Sequence, residues 1–418
     1  MLTKDLLSKL AASMLDAKSP NRSGTSSVDV VLTYVGQMVS HDIVPPTSNT
    51  QPSREVTPTL NLDSIYGSSP LYTYRHFPEH TGLLGKDGKF KVGKSGDLKR
   101  IDGIAVIPEP RNDENQIVAQ FHRFWQDLHN RIVEEEKANA LKARSIVTRL
   151  FQLVVIEDLL AQCLDHRVFE SIFRDNQRFL DASNWDDKIP SFFRFAAFRF
   201  GHSLVRPKYQ LSEKPSRTIG ELLRSGQPLI TANKIDWVFF SEAGRMHSAP
   251  LDTHITPAMG KIPNDLLPTN NIAELNLAAG EATFPTTGAA MIDWLLAHPS
   301  GKAMQDQLGL TKLNSLKGAS FEKVNSLTID NLPLWPYILL EAEQSTSGNR
   351  LGVLGSLLNA EVLTRAIANA DHSVYERGHF DPVIAKQSLG NVGEKILGRG
   401  HSVSSRGRTV IQKIAEYL

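Results

Sequence analysis

Apolar residues recur at helical intervals through most of this chain. The clearest case lies in IPEPRNDENQIVAQFHRFWQDLHNRIVEEEKANALKA, where Ile117, Val118, Phe121, Phe124, Trp125, Leu128 and Ile132 form one stripe uninterrupted by proline or glycine. Two prolines precede it, and Asn112 or Asp113 is placed to cap its start, which puts Arg111 just ahead of the helix and Glu114 in its first turn. Upstream, TYVGQMVSHDIVPP predicts a more apolar helix closed by Pro45 and Pro46. There Gln37 and His41 lie one turn apart on one face, and Asp42 points elsewhere. Helical patterns continue through Ile146–Phe173 and Ser191–Leu204, then in AAMIDWLLAH, LPLWPYILLEAEQ and LGVLGSLLNAEVLTRAIANA.

Strand-like alternation is scarce. Residues 80–103, rich in glycine and lysine, predict a hairpin or irregular surface excursion, and residues 206–267 predict loops with short helices. The fold class is therefore mainly α, a single large helical domain with little strand. We place a peripheral amphipathic helix and linker at 1–24 and the domain at 25–418, with no internal repeat.

Composition narrows the function classes. The 418 residues carry 46 basic and 45 acidic side chains, so the overall balance gives no reason to expect nucleic acid or an anionic membrane as partner. No apolar run reaches the roughly 18–20 residues of a membrane span. Lys4, Asp5, Lys9 and Asp16 interrupt the N-terminal apolar residues, unlike a secretory signal, and a cytoplasmic protein is expected. The one cysteine, Cys163, excludes an intramolecular disulfide, and its apolar surroundings predict an inert buried thiol.

Two histidines stand out. His202 sits in FFRFAAFRFGHSLVRP, an apolar and aromatic run that also carries arginines. Such a setting suits an axial haem ligand, since the pocket excludes water while cations receive the propionates; it also suits a histidine satisfied within a core. His41 is the second, far upstream. Between them, TPTLNLDSIYGSS sets Thr57, Thr59, Asn61 and Asp63 at alternate positions of a loop, and Asp42 is available from the neighbouring helix. Oxygen-bearing side chains spaced by two can converge on a hard cation, and turn chemistry produces the same pattern without one.

GQMVSHDI, PEPRNDENQIVAQFHRFWQDLHNRIV, FAAFRFGHSLVRP and IAELNLAAG, in that order, resemble the animal-type haem peroxidases of the peroxidase–cyclooxygenase superfamily, its bacterial members in particular. The resemblance implies a helical fold around one haem b, with His202 as proximal iron ligand and Asn276 accepting a hydrogen bond from its imidazole. It implies His41 as distal base, Gln37 beside it, and Arg111 as distal cation. Glu114 matches a glutamate that links to haem, and Arg199 an arginine that contacts a propionate. Asp42 with Thr57, Thr59, Asn61 and Asp63 matches a calcium site. The implied reaction uses hydrogen peroxide and a small-molecule electron donor, organic or halide.

Several positions depart from the family pattern. Ser40 stands where vertebrate members carry an ester-forming aspartate, so at most one ester remains, through Glu114. Asn115 replaces a sulfonium-forming methionine. Ala279 replaces an arginine near the proximal pocket, and Asn61 replaces an aspartate of the calcium loop. Two other readings stand beside peroxidase. One is a haem-binding or scaffold protein whose pocket has lost its chemistry. The other is a fatty-acid or small-molecule dioxygenase, whose radical-forming tyrosine would fall where this chain has Arg199, flanked by Phe198 and Phe200.

Overall fold

The computed structural model describes residues 9–10, 13–15, 24–45, 56–67, 83–180, 189–223, 226–257, 328–398 and 408–418. Asn276, Ala279, the AAMIDWLLAH segment and most of residues 1–24 lie outside them. The mainly helical expectation holds. The helices that position the site and its supports are α1 (Val30–Ile43), α2 (Asp63–Tyr66), α3 (Gln116–Glu135), α4 (Ala140–Leu153), α5 (His166–Phe173), α6 (Ser191–Phe195), α7 (Leu334–Thr346), α8 (Val353–Ala368) and α9 (Val410–Tyr417). Strands among the described residues are short antiparallel pairs. One, Arg100–Ile101 with Ile104–Ala105, closes the lysine-rich excursion. Its turn residues Asp102 and Gly103 both have positive φ, as a two-residue hairpin loop demands.

Helix α3 bears out the stripe: Ile117, Val118, Phe121, Phe124, Trp125, Leu128 and Ile132 are all essentially inaccessible. Trp125 meets Phe151 of α4 edge to face at 5.2 Å, and Phe124 approaches Trp237 at 4.9 Å. Burying each such side chain contributes roughly 1.5–3 kcal/mol. The start of this helix differs from expectation. Asn115, not Asn112 or Asp113, is the cap, its extended backbone letting the side chain accept from Ile117 N at 3.1 Å and Val118 N at 2.9 Å. Pro110–Asp113 instead form a separate 3-10 turn opened by Glu109, because Pro110 suits a first helical position and Glu109 accepts from Arg111 N. Glu114 therefore lies between the two elements instead of in the first turn of α3, and Arg111, Asn112 and Glu114 turn toward the end of α1.

The predicted continuous helix through Phe173 also breaks. α4 runs on as a π-helical segment, Val154–Leu160, and the chain is extended at Leu164 before Asp165 caps α5. Within this segment the buried Asp158 accepts from Val410 N and Ile411 N, both at 2.8 Å, which docks the N-terminus of α9. Cys163, just beyond, is buried, and burial pushes its thiol up to about 12, in keeping with an inert role. Gly352, ahead of α8, is required by close approach. A Cβ there would lie 2.3 Å from the Glu341 side chain, whose carboxylate accepts from Leu354 N and Gly355 N.

Asp158 makes α9 docking sensitive to pH. Burial raises its carboxyl to about 7 from an ordinary 3.8, against the two backbone hydrogen bonds that favour its charge. The native state then holds a proton that the unfolded chain has released, so the stabilisation is complete below about pH 4 and is lost as pH rises to about 7. Urea unfolding of wild type and Asp158→Asn at about pH 4 and about pH 8 should show their stability difference moving against wild type by on the order of 3 kcal/mol. A difference that stays constant over this interval would remove Asp158 as the titrating group.

Candidate active site

Helix α1 is buried along its length except at Gly36, Gln37 and Ser40, which remain partly exposed. In a helix otherwise sealed within the core, that stripe is the side left accessible. His41 lies beside the stripe, one turn beyond Gln37 and 3% exposed. Its Nδ1 is 2.8 Å from Asn112 Oδ1 and its Nε2 is 3.6 Å from Glu114 Oε1. Gln37 Nε2 donates to the same Glu114 oxygen. Burial raises Glu114 well above the usual carboxylate range. Arg111 and the Gln37 hydrogen bond oppose the shift, while the Glu109 charge adds to it. Its carboxyl therefore holds its proton to higher pH than an exposed glutamate, which weakens the ion-pair character of its contact with His41.

Arg111 supports the same helix from behind. Its Nε donates to Glu109 Oε1 at 2.8 Å and its Nη2 to Glu109 Oε2 at 2.9 Å, and Nη2 also reaches the main-chain oxygens of His41 and Val44 at 3.0 Å each. A guanidinium at a helix C-terminus satisfies carbonyls left without helical partners and complements the local negative potential. The structure thus places Arg111 against the His41 backbone and against Glu109, a partner that sequence spacing did not single out.

His202 closes a 3-10 turn, Ala197–His202, in which Ala197–Phe200 are buried while Gly201 and His202 are partly exposed. Trp335 of α7 meets the His202 ring edge-on at 5.7 Å, and Phe193 stacks on Phe198 at 4.7 Å. Burial, then the nearby Arg199 charge, holds His202 well below its ordinary pKa, leaving the neutral imidazole that a metal requires. Arg199 Nε donates to Arg194 O at 3.0 Å, and Arg194 Nη2 donates to Pro45 O at 3.2 Å, which ties this stretch to the end of α1. A neutral imidazole, aromatic walls, two arginines and the partly exposed stripe of α1 fit a haem.

Asp42 and the loop are also brought together. Asp42 accepts from Leu62 N at 2.9 Å and Ser64 N at 2.8 Å, with Leu62 in the left-handed region. Asp63 accepts from Thr57 Oγ1 and from Arg144 Nη2, both at 2.9 Å. Thr59 Oγ1 donates to Thr57 Oγ1, and Asn61 Nδ2 donates to Thr59 Oγ1. Asn61 Oδ1 accepts from Asp371 N at 2.8 Å, so the amide presents N–H to the loop and its oxygen elsewhere. A calcium ion requires oxygen lone pairs aimed at one point. With Asn61 turned as a donor and Asp63 matched by a guanidinium, these groups do not fit that ion. The fold uses the same residues to tie α1 to α2 and α4.

Asn112, Glu109, His122 and Gln126 are the site residues that sequence reasoning passed over. A readable signal existed for two of them: His122 and Gln126 are polar groups spaced by four within the apolar stripe, and both are buried.

This helical domain, with His41 and His202 presented on separate helical segments, is of the peroxidase–cyclooxygenase type. The chain belongs to the animal haem peroxidase family, whose model matches residues 44–278. Arg111, Glu114, His202 and Asn276 fall inside that stretch; Gln37 and His41 lie just before it. Among curated proteins, thyroid peroxidase of Homo sapiens is 25% identical across 36% of this chain, as is thyroid peroxidase of Canis lupus familiaris. The match spans only 19% of either relative. Among solved structures, fatty acid α-dioxygenase of Oryza sativa aligns with 97% of this chain and 82% of its own, at TM-score 0.62 and 14% identity. The Arabidopsis thaliana enzyme aligns with 97% and 77%, at TM-score 0.62 and 12% identity. At that identity, the two structures show the fold.

Proposed function

We propose that this chain is a haem-dependent peroxidase that reduces hydrogen peroxide at the expense of a small organic or halide donor. The observation carrying this reading is His41, buried beside the partly exposed stripe of α1, with Nδ1 held by Asn112 and Nε2 directed toward Glu114. Haem b, bound through His202, would supply the iron that takes up peroxide and the oxidising equivalents passed to the donor. Nε2 of neutral His41 accepts the proton of the incoming peroxide and returns it to the departing oxygen. Two electrons from the donor and two protons complete the reduction of one peroxide to two waters. Gln37 donates to the Glu114 carboxyl and holds it beside this base. Arg111 fixes the His41 main chain and adds positive potential behind it.

The fold likeness to the fatty acid α-dioxygenases supports a second reading, oxygenation of a fatty acid. Position 199 speaks against it: Arg199 and its neighbours Phe198 and Phe200 offer no phenol. The purified, haem-loaded protein separates the two. Equimolar peroxide is expected to shift the Soret band and a phenolic donor to restore it, with no oxygen uptake when a fatty acid is added without peroxide. A band indifferent to peroxide, together with fatty-acid-dependent oxygen uptake, would replace peroxidase with dioxygenase.

A further inference from the structure

Four side chains run in a line from His41 into the core. His41 Nδ1 lies 2.8 Å from Asn112 Oδ1, Asn112 Nδ2 lies 3.0 Å from His122 Nδ1, and His122 Nε2 lies 3.1 Å from the side-chain amide of Gln126. Asn112 and His122 are wholly inaccessible, and Gln126 is 2% exposed. Elimination assigns each donor. The Ser64 main-chain oxygen, which can only accept, lies 3.5 Å from Asn112 Nδ2, so the N–H side of that amide faces it and Oδ1 faces His41. An acceptor opposite Nδ1 demands a proton there. Neutral His41 then carries its lone pair on Nε2, the nitrogen directed toward Glu114.

The inner half of the line obeys the same logic. His122 Nδ1 accepts from Asn112 Nδ2, so its proton resides on Nε2 and must be donated to Gln126. Gln126 Oε1 is buried and has no other hydrogen-bond partner among the described residues. Turning the carboxamide over brings that oxygen to the ring, and the nitrogen and oxygen of an amide are assigned by such bonding. Burial also lowers His122 to about 3, so the ring stays neutral and the direction of the line does not change across the working range.

We infer that Asn112, braced by His122 and Gln126, is a positioning residue that sets the tautomer of His41 and thereby keeps Nε2 as the proton acceptor. The inference rests on the peroxidase reading only for what that base acts upon. An apolar residue at 112 would let His41 exchange tautomers, and the wrong one presents an N–H where the reaction needs a lone pair.

Long-range ¹H–¹⁵N spectra of histidine-labelled protein, its porphyrin site filled with diamagnetic zinc protoporphyrin IX, report the tautomer directly. Wild type is expected to show His41 protonated at Nδ1 and bare at Nε2. Asn112→Val should mix the two forms or shift the proton to Nε2, and Asn112→Asp, which retains the acceptor opposite His41 Nδ1 while losing the donor to His122, should keep the His41 proton on Nδ1. Cyanide association with the ferric protein provides a second readout, about tenfold slower in Asn112→Val and recovered in Asn112→Asp. Protonated Nε2 in wild type, or an Asn112→Val spectrum identical to wild type, overturns the assignment. The wild-type spectrum decides even if the valine variant fails to fold. A chain that takes up no porphyrin would refute the peroxidase reading, while the His41 signals of the purified protein would still test this one.

Discussion

His41→Leu is expected to leave porphyrin bound and to slow the reaction of the haem-loaded protein with hydrogen peroxide by about 10³-fold, within the 10²–10⁴-fold contribution of a positioned general base. Porphyrin should stay because the proposed iron ligand, His202, belongs to a different segment, and its surroundings of Trp335, Phe198 and Arg199 do not involve the His41 ring in the contacts described. The rate should fall because Gln37, the polar neighbour of His41 on the partly exposed stripe of α1 among the described residues, does not titrate and cannot replace it as a base. Leucine fills most of the imidazole volume, so the main structural loss is the hydrogen bond to Asn112. Stopped-flow recording of the Soret band after mixing with peroxide measures the effect. A variant within tenfold of wild type would remove His41 from proton transfer and shift attention to the dioxygenase reading.

Arg144→Met is expected to lower stability by ~3–5 kcal/mol, the cost of withdrawing one partner from a buried ion pair. Asp63 is 1% exposed and Arg144 5%, and the guanidinium also lies 5.0 Å from the centre of the Tyr66 ring, so the pair is dry and braced by an aromatic face. Methionine preserves the stem and deletes the charge, leaving the Asp63 carboxylate in the core without its cation. Asp63→Asn in the Arg144→Met background should recover most of the loss, because the carboxylate then vanishes together with its partner. Urea unfolding of the two single variants and the double variant gives the coupling directly; additive losses would show that the pair is not the stabilising unit. The same arrangement predicts that a chelator leaves the unfolding midpoint of wild type unchanged. A midpoint that falls on chelation and returns on adding calcium would mean that the loop opens to a cation that its present hydrogen bonds do not admit.

These two residues mark how far the sequence could be read. The spacing of Gln37 and His41 placed both on one face of α1, and the apolar character of that helix already implied its burial. The stripe of α3 was equally legible, since helical periodicity is a local property. Asp42 and the alternating loop were correctly grouped, because the segments follow one another closely in the chain. The use made of that group was not legible: Arg144 lies far along the chain, and only packing α4 against the loop brings its guanidinium to Asp63.

The same division holds across the molecule. The sequence by itself determined the helical class, the burial of α1 and α3 and the buried setting of the Cys163 thiol, because side-chain types at a fixed interval dictate which face of a helix is apolar. The tertiary structure alone decided the partners: Glu109 for Arg111, Asn112 for His41, Arg144 for Asp63, and the N-terminus of α9 for Asp158. Hydrogen bonds and ion pairs depend on distances of a few tenths of an ångström and on which lone pair faces which proton. Those quantities are set by how distant helices pack, and no local interval along the chain encodes them.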